Sequence, residues 1–483
     1  MKLIKKKERL ELKISNIAYG GNGISKQDDQ NSKNFIIFVK NGIEGQQLLV
    51  EIVKKKPNYA EAKIIKVLKK SPLQKNRPYQ KISGAPYYDL NISYQRKKKK
   101  ELVFEVFQKI GDVKNIETYY DEFINSPRTW HYRNKMEYAF SSIIYDKKTD
   151  RDIDDFGLGF KKANTWWMVE NLDKDSGLFD KAWENSLIEI RQFCISTGLP
   201  AWNIPQKKGF FRNLNIRKSY QENKLLIELV TSSEQLKKFC KKSFVKKILD
   251  MHQDRIEGII HTVNDNISDR IDYTHVSSTT IFGNNIINER ILDLNFEIYM
   301  SSFFQTNPLC AEKLYSKVIE YSLINIHNEN EIILDLFCGT GTIAQMIAKK
   351  QNKINVIGVD IAASSIENAK KSAKKNKIKN VDFHTLDIGD FLFKNPHLKN
   401  KINTIIADPP RPGISKKSIK KIINLDAKKI IYVSCNPSTQ ARDIKLLTEH
   451  GYMIKKFSIV DQFPHTHHIE TVFMLVKSLD NVS

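Results

Sequence analysis

Cys435 ends the apolar run KKIIYVS and is followed at once by Asn436-Pro437. Proline carries no N–H for a strand ladder and restricts the residue before it, so the chain must turn there. The thiol is either a small hydrophobe packed out of reach or a nucleophile displayed at a strand end, poised by positive surroundings. The second reading implies a definite chemistry. Carbon 5 of a pyrimidine is a poor nucleophile. Addition of a thiolate to C6 makes C5 enolate-like; C5 then accepts a methyl group, loses its proton to a base, and the thiol is expelled. The reaction needs one activated cysteine, one base and a methyl donor beside a flipped-out nucleotide.

Candidates for the base lie near the C-terminus, where VDQFPHTHHIETVFML gathers Asp461, His465, His467, His468 and Glu470 ahead of an apolar run. Such a cluster could also be a metal site, but adjacent His467 and His468 should point in different directions on any regular element, so no metal is expected. A donor pocket is suggested by DLFCGTGT (Asp335 to Thr342), where glycines let the backbone approach a ligand. The spacing is not that of a phosphate loop, which requires a Lys after its last Gly. GVD then ends the next apolar run at Asp360, where a carboxylate can accept hydrogen bonds from ribose hydroxyls. A nucleoside held without a phosphate grip points to S-adenosylmethionine. Asp408-Pro409-Pro410 closes a third run and is followed by Arg411-Pro412-Gly413. No aromatic residue stands there to stack on an amine-bearing base, which argues against methylation of an amino group.

These residues need a frame. From about residue 310, apolar runs alternate with helical patterns, which predicts a doubly wound, mostly parallel α/β sheet. Asp335, Asp360, Asp408 and Cys435 fall at or near strand ends, where ligands bind on such sheets. Residues 1–70 carry five short β-rich runs separated by Gly turns and flanked by lysines, as expected for a small barrel of the OB type. Residues 71–300 are mixed α+β. There QRKKKKELVFEVFQKIGDV reads as a helix with a strongly basic start, while RTWHYRNKMEYAFS and GLGFKKANTWWMVE interleave aromatics with cations. The latter two either stack bases and contact phosphates or form amphipathic strands. The expected division is thus 1–70, 71–300 and 301–483.

Composition bounds the partners. A chain of 483 residues with formal net charge +23 favours a polyanion, although some of the lysine excess follows general Lys, Asn and Ile richness. The five cysteines form no C-x-x-C pair, so neither zinc nor a disulfide framework is suggested, and a reducing cytoplasm is the expected location. The basic N-terminus lacks the apolar core of a signal peptide, and no run is long enough to span a bilayer, so no membrane partner is expected.

FFQTNP, DLFCGTGT, DPPRPG, SCNPSTQARD and FPHTHHIETV occur in that order. Together they resemble the catalytic motifs of bacterial RNA uracil-C5 methyltransferases, which make 5-methyluridine in 23S ribosomal RNA and in the tRNA T-loop. The resemblance covers nearly the whole chain and likens the first domain to a TRAM domain, the third to a Rossmann-like methyltransferase domain. It implies that Cys435 is the nucleophile and that Glu470 takes the C5 proton. It places Gln305, Phe337, Asp360 and Asp408 on S-adenosylmethionine, with Gly339 and Asp387 at its border and Phe304 near the target region. Family members usually carry Glu where this chain has Asp360.

Many members also ligate an iron–sulfur cluster through four cysteines. The corresponding positions here hold Arg77, Ser83, Pro86 and a residue near Asp173. No thiolate remains, so no cluster is expected, and packing or salt bridges should hold that loop instead. The resemblance makes 23S ribosomal RNA the expected substrate, because tRNA-specific relatives generally lack the N-terminal domain. A tRNA is the alternative within the class, and a non-catalytic RNA-binding or ribosome-assembly factor the alternative outside it. A monomer is expected.

Overall fold

The computed structural model describes residues 4–478 apart from 19, 30, 31, 164, 268–270, 274 and 327–330. The first sixty or so residues form one six-stranded sheet: β1 (Arg9–Lys13), β2 (Asn16–Ile17), β3 (Gly23–Asp29), β4 (Ser32–Val39), β5 (Gln47–Lys55) and β6 (Tyr59–Lys69). Its order is β1-β5-β6-β4-β3-β2, and the two-residue β2 is one strand more than the sequence pattern suggests. Period-two alternation drives it: Leu48, Val50 and Ile52 of β5 point inward onto Phe35, Ile37 and Val39 of β4. The outer face of β5 and β6 carries Lys54, Lys63 and Lys66 among exposed Val53 and Ile65.

Next come α1 (Ile92–Lys109) and β7 (Tyr120–Ile124). A seven-stranded sheet follows, built from β8 (Lys135–Asp146), β9 (Arg151–Lys161), β10 (Val169–Asn171), β11 (Phe211–Lys218), β12 (Leu225–Thr231), β13 (Ile256–Val263) and β14 (Ser277–Gly283). Helices α2 (Lys181–Ser196) and α3 (Lys241–His252) bury Trp183, Leu187, Ile190, Phe244 and Ile248 against it. Tyr138, Phe140 and Leu158 join that core, so the aromatic-rich segments around them are strand over about half of their length and loop over the rest of their described residues.

The last part opens with the hairpin β15 (Ile286–Ile291) and β16 (Leu294–Tyr299), then α4 (Pro308–Leu323) and β17 (Ile332–Leu336). Alternation then runs α5 (Thr342–Lys350), β18 (Asn355–Asp360), α6 (Ala363–Lys375), β19 (Val381–Thr385), α7 (Ile388–Lys394), β20 (Ile402–Ala407), α8 (Lys416–Asn424), β21 (Lys429–Ser434) and α9 (Pro437–Thr448). The antiparallel pair β22 (Tyr452–Val460) and β23 (Glu470–Lys477) closes the chain. The sheet order is β19-β18-β17-β20-β21-β23-β22-β7, parallel from β19 to β21. Strand order reverses between β17 and β20, the switch point at which a ligand crevice opens.

Strand residues alternate between two cores. Ile333, Ile406, Ile431 and Val433 face α4, α5 and α6, whereas Leu334, Ile405, Ile430 and Tyr432 face α1, α7, α8 and α9. Several stretches that precede residue 300 share these cores, among them Val103, Val106 and Phe107 of α1, Ile124 of β7, Ile287 and Ile291 of β15, and Phe296 and Ile298 of β16. Among the described residues no helix is long and apolar enough to cross a membrane.

Candidate active site

The crevice begins where β17 ends. Phe337, Gly339 and Gly341 all adopt left-handed backbone angles, with φ of 61°, 54° and 70°. A non-glycine residue in that region costs roughly 1–2 kcal/mol, so Phe337 is held there by its surroundings. The resulting turn aims Gly339 N–H at Asp360 Oδ2 (3.0 Å), while Ala362 N–H donates to Oδ1 (2.8 Å). Each Asp360 oxygen keeps a further lone pair for a ligand hydroxyl. A side chain at Gly339 would meet nothing within 4 Å, so the backbone lies open at this point.

Asp335 is buried beneath this turn. Its Oδ2 accepts from Ala344 N–H at 3.1 Å, and its Oδ1 has no partner among the described residues. Burial, then the neighbouring Asp408 and Asp360, push its carboxyl well above the usual range. Asp408 follows β20, and burial raises its carboxyl to about 7. Gln305 is buried across the crevice, its Oε1 accepting from Gln462 Nε2 at 3.3 Å. Asp387 is exposed and caps α7 through Gly389 N–H (2.7 Å).

Cys435 and Glu470 are brought together by strand register. β21 and β23 run antiparallel with Ser434 opposite Thr471, so one residue further places Cys435 beside Glu470. Both lie at the crevice end of the sheet, and Cys435 immediately precedes Asn436, the cap of α9. The thiol is partly buried. Burial raises it to about 11, Glu470 and Asp408 add to the rise, and the Arg411 guanidinium opposes it by charge and hydrogen bond. The surroundings expected from sequence to be positive are therefore mainly acidic, because two strand ends, those carrying Asp408 and Glu470, deliver carboxylates to the same place. Glu470 is pushed well up by burial and then by Asp408, against Arg411.

Two participants have no counterpart among the residues chosen from sequence. Arg411 is held over the α9 N-terminus, its carbonyl accepting from Asn436 Nδ2 and Thr439 Oγ1 (3.2 Å each). A cation directly after Asp-Pro-Pro was the available signal. Tyr315 of α4 is buried, with its hydroxyl raised by burial, Asp408 and Glu470 and hydrogen-bonded to Gln305. It occupies an ordinary core position of α4, so no pattern marks it. Phe304 is buried against Phe296, and the exposed aromatic is its neighbour Phe303.

The histidines do not diverge as expected from adjacent positions. The segment is irregular, and the rings of His467 and His468 lie 4.2 Å apart. Among the described residues no group of three His, Cys, Asp or Glu could hold a metal ion. At the cluster-equivalent loop, Arg77 lies over the Trp130 ring (5.7 Å), Ser83 donates to Glu170 (2.6 Å), and Asp173 pairs with Arg191 (2.7 Å). These side chains do not fit iron ligation, and packing with ion pairs fills the place.

Residues 276–478 match the family model described as tRNA (Uracil-5-)-methyltransferase. An uncharacterized RNA methyltransferase of Clostridium acetobutylicum is 34% identical over 99% of this chain and 100% of its own. One from Caldanaerobacter subterraneus is 33% identical over 98% and 100%. The crystal structure of the Pyrococcus abyssi tRNA (uracil-54, C5)-methyltransferase with S-adenosyl-L-homocysteine is similar at TM-score 0.72 and 26% identity. It covers 97% of this chain and 100% of its own.

Proposed function

The chain belongs to the RNA uracil-C5 methyltransferase family and uses S-adenosylmethionine to methylate RNA, and we propose that it does so at C5 of a uridine through a covalent bond between Cys435 and C6. The observation that carries this reading is the register that sets Cys435 beside Glu470 at the mouth of the acidic crevice. A non-catalytic factor would have no need of that juxtaposition.

The crevice suits the donor. Asp335, Asp360 and Asp408 converge there, so an anionic phosphate would be repelled, whereas a cation bearing hydroxyl and amino groups is accommodated. S-adenosylmethionine, when bound, supplies a methyl group activated by its sulfonium charge. Gln305, Phe337, Gly339, Asp360, Asp387 and Asp408 are the residues assigned to hold it. The Cys435 thiol gives its proton to solvent, and the thiolate adds to C6 of the flipped uridine as the C5–C6 pair moves onto C5, which takes the methyl group; Arg411 is the cation that favours the thiolate. After methylation Glu470 takes the C5 proton, the C5–C6 double bond re-forms, and the bond to sulfur breaks. Glu470 must be ionised to accept that proton, which Arg411 favours, and the ionised carboxylate, disfavoured by burial, is then a strong base for that step. Extrusion of the uridine costs a few kcal/mol, which contacts elsewhere on the RNA must offset.

The substrate we assign first is 23S ribosomal RNA, on the resemblance of the N-terminal domain to one that tRNA-specific relatives generally lack; its basic charge suits either RNA. A second reading, a tRNA, is favoured by the whole-chain similarity to an enzyme that acts on tRNA. RNA tritiated at uridine C5 separates them. Release of tritium to water from one unmodified RNA and not the other names the substrate; release from neither, with RNA still bound, removes the catalytic reading.

A further inference from the structure

The basic start of α1 is not used as its composition suggests. Gln95, Lys98 and Lys99 are buried, and Lys99 Nζ lies 2.7 Å from Asp461 Oδ1 with both side chains about 1% exposed. Asp461 follows β22, and Glu470 opens β23 directly across from Val460. The residues between them form the hairpin loop that delivers Glu470 to the crevice.

That loop is held from several sides. Lys99 Nζ also donates to the Phe463 carbonyl (3.0 Å), and Arg96 Nε donates to Asp461 Oδ2 (3.2 Å). Gln95 accepts from His465 N–H (2.9 Å), and its Nε2 lies 3.1 Å from His465 Nδ1. Trp130 stacks on the His465 ring at 3.6 Å, where the backbone has φ of 64°. Tyr132 donates to the Pro464 carbonyl (3.0 Å), and Asn307 Nδ2 to that of Gln462 (2.9 Å). A charged pair with both members dry is a poor source of stability compared with apolar packing. It is, however, directional: the ammonium can satisfy the Asp461 carboxylate and the Phe463 carbonyl together in only one placement of the loop.

We propose that Lys99, with Gln95, is a positioning residue for Glu470, fixing the Asp461–His465 segment so that the base meets the C5 proton of the Cys435-bound uridine. The inference rests on the assignment of Glu470 as base. A misplaced loop leaves Cys435 able to add to C6 and C5 able to be methylated. It slows only the last step, in which the C5 proton passes to Glu470, its electron pair re-forms the C5–C6 bond, and the C6–S pair returns to sulfur.

The test uses the double variant Lys99→Met/Asp461→Leu, which removes both dry charges at once; Arg96 loses its partner too, but its side chain is 24% exposed and reaches water. Full-length protein, S-adenosylmethionine and substrate RNA are mixed, and denaturation-resistant protein–RNA adduct is counted beside multiple turnover, with Glu470→Gln as reference. The expected result is at least a ~tenfold fall in turnover together with methylated adduct approaching the reference level. Parental turnover, or lost turnover without adduct while Glu470→Gln does accumulate it, overturns the positioning role alone. Absence of adduct in Glu470→Gln itself overturns the base assignment and the proposal with it. If the double variant does not fold, Gln95→Leu removes the neighbouring anchor without touching a charge, and the same two quantities decide.

Discussion

The Cys435 thiol is raised by burial and then by Glu470 and Asp408, which together prevail over the opposing Arg411. Alkylation of the Cys435 peptide should therefore be slow at pH 7 and accelerate towards pH 11. Glu470→Gln should speed it severalfold and Arg411→Met slow it, each read by mass spectrometry because exposed Cys240 also reacts. Equal rates in all three proteins would contradict the electrostatic account. Cys435→Ala should lower turnover by at least ~10⁴-fold, since it removes the bond on which the later steps depend. Asp408 yields a stability prediction of opposite sign to function. Its carboxyl titrates near 7 when folded against 3.8 ordinarily. The unfolded chain thus ionises first, stability is lost as pH rises from about 4 to 7, and the full penalty stands above 7. Asp408→Asn should raise the melting temperature by a few degrees at pH 8, have little effect at pH 4, and weaken S-adenosylmethionine binding in calorimetry. An unchanged melting temperature at pH 8 would show that the carboxylate is better solvated than its burial implies.

Elements decide which of these residues could be seen in advance. The strand–turn–helix of β17 and α5 was legible because Gly spacing and apolar periodicity agree, and the strand ends at Asp360, Asp408 and Cys435 fall where those patterns place them. The meeting of Cys435 with Glu470 was not legible from spacing. It depends on β23 inserting antiparallel between β21 and β22, a long-range pairing that no local pattern encodes. The inward face of α1 was hidden for a related reason: a Lys run reads as solvated unless the opposing Asp461, far along the chain, is known. The tight turn after β17 gives a test at this scale. A Cβ at Gly341 would lie 2.4 Å from the Phe383 ring, and φ there is 70°. Gly341→Ala should cost about 2 kcal/mol or more, from strain and overpacking together, and weaken cofactor binding by moving the Gly339 N–H. Gly339→Ala meets no atom and should pay only the backbone term. Similar chemical-denaturation midpoints for the two variants would count against the packing argument.

Across the whole molecule, charge is sorted by depth. The net +23 lies in a lysine-rich exterior, including Lys54, Lys63 and Lys66 on the first sheet and Lys370, Lys374, Lys377 and Lys379 around α6. The crevice within that envelope is acidic, with Asp335, Asp408 and Glu470 each shifted towards the neutral form. The two ligands of the reaction carry opposite charges, and this separation lets one chain attract both. A polyanion is drawn to the surface through counterion release, which is steeply salt-dependent. A small cation is held in a partly dry crevice, where salt screens little. RNA affinity should therefore fall by roughly 10³-fold or more between 50 and 200 mM salt if six or more phosphates are contacted. S-adenosylmethionine affinity should change by only about threefold over the same range, because its charge is met inside the crevice. Its binding should also release protons near pH 7, as the positive charge drives Asp408 and its neighbours to ionise; calorimetry in buffers of different ionisation enthalpy counts them. RNA binding that ignores salt would mean that the lysine surplus is not an interface. Cofactor binding without proton release would mean that the crevice acids are already ionised before the donor arrives.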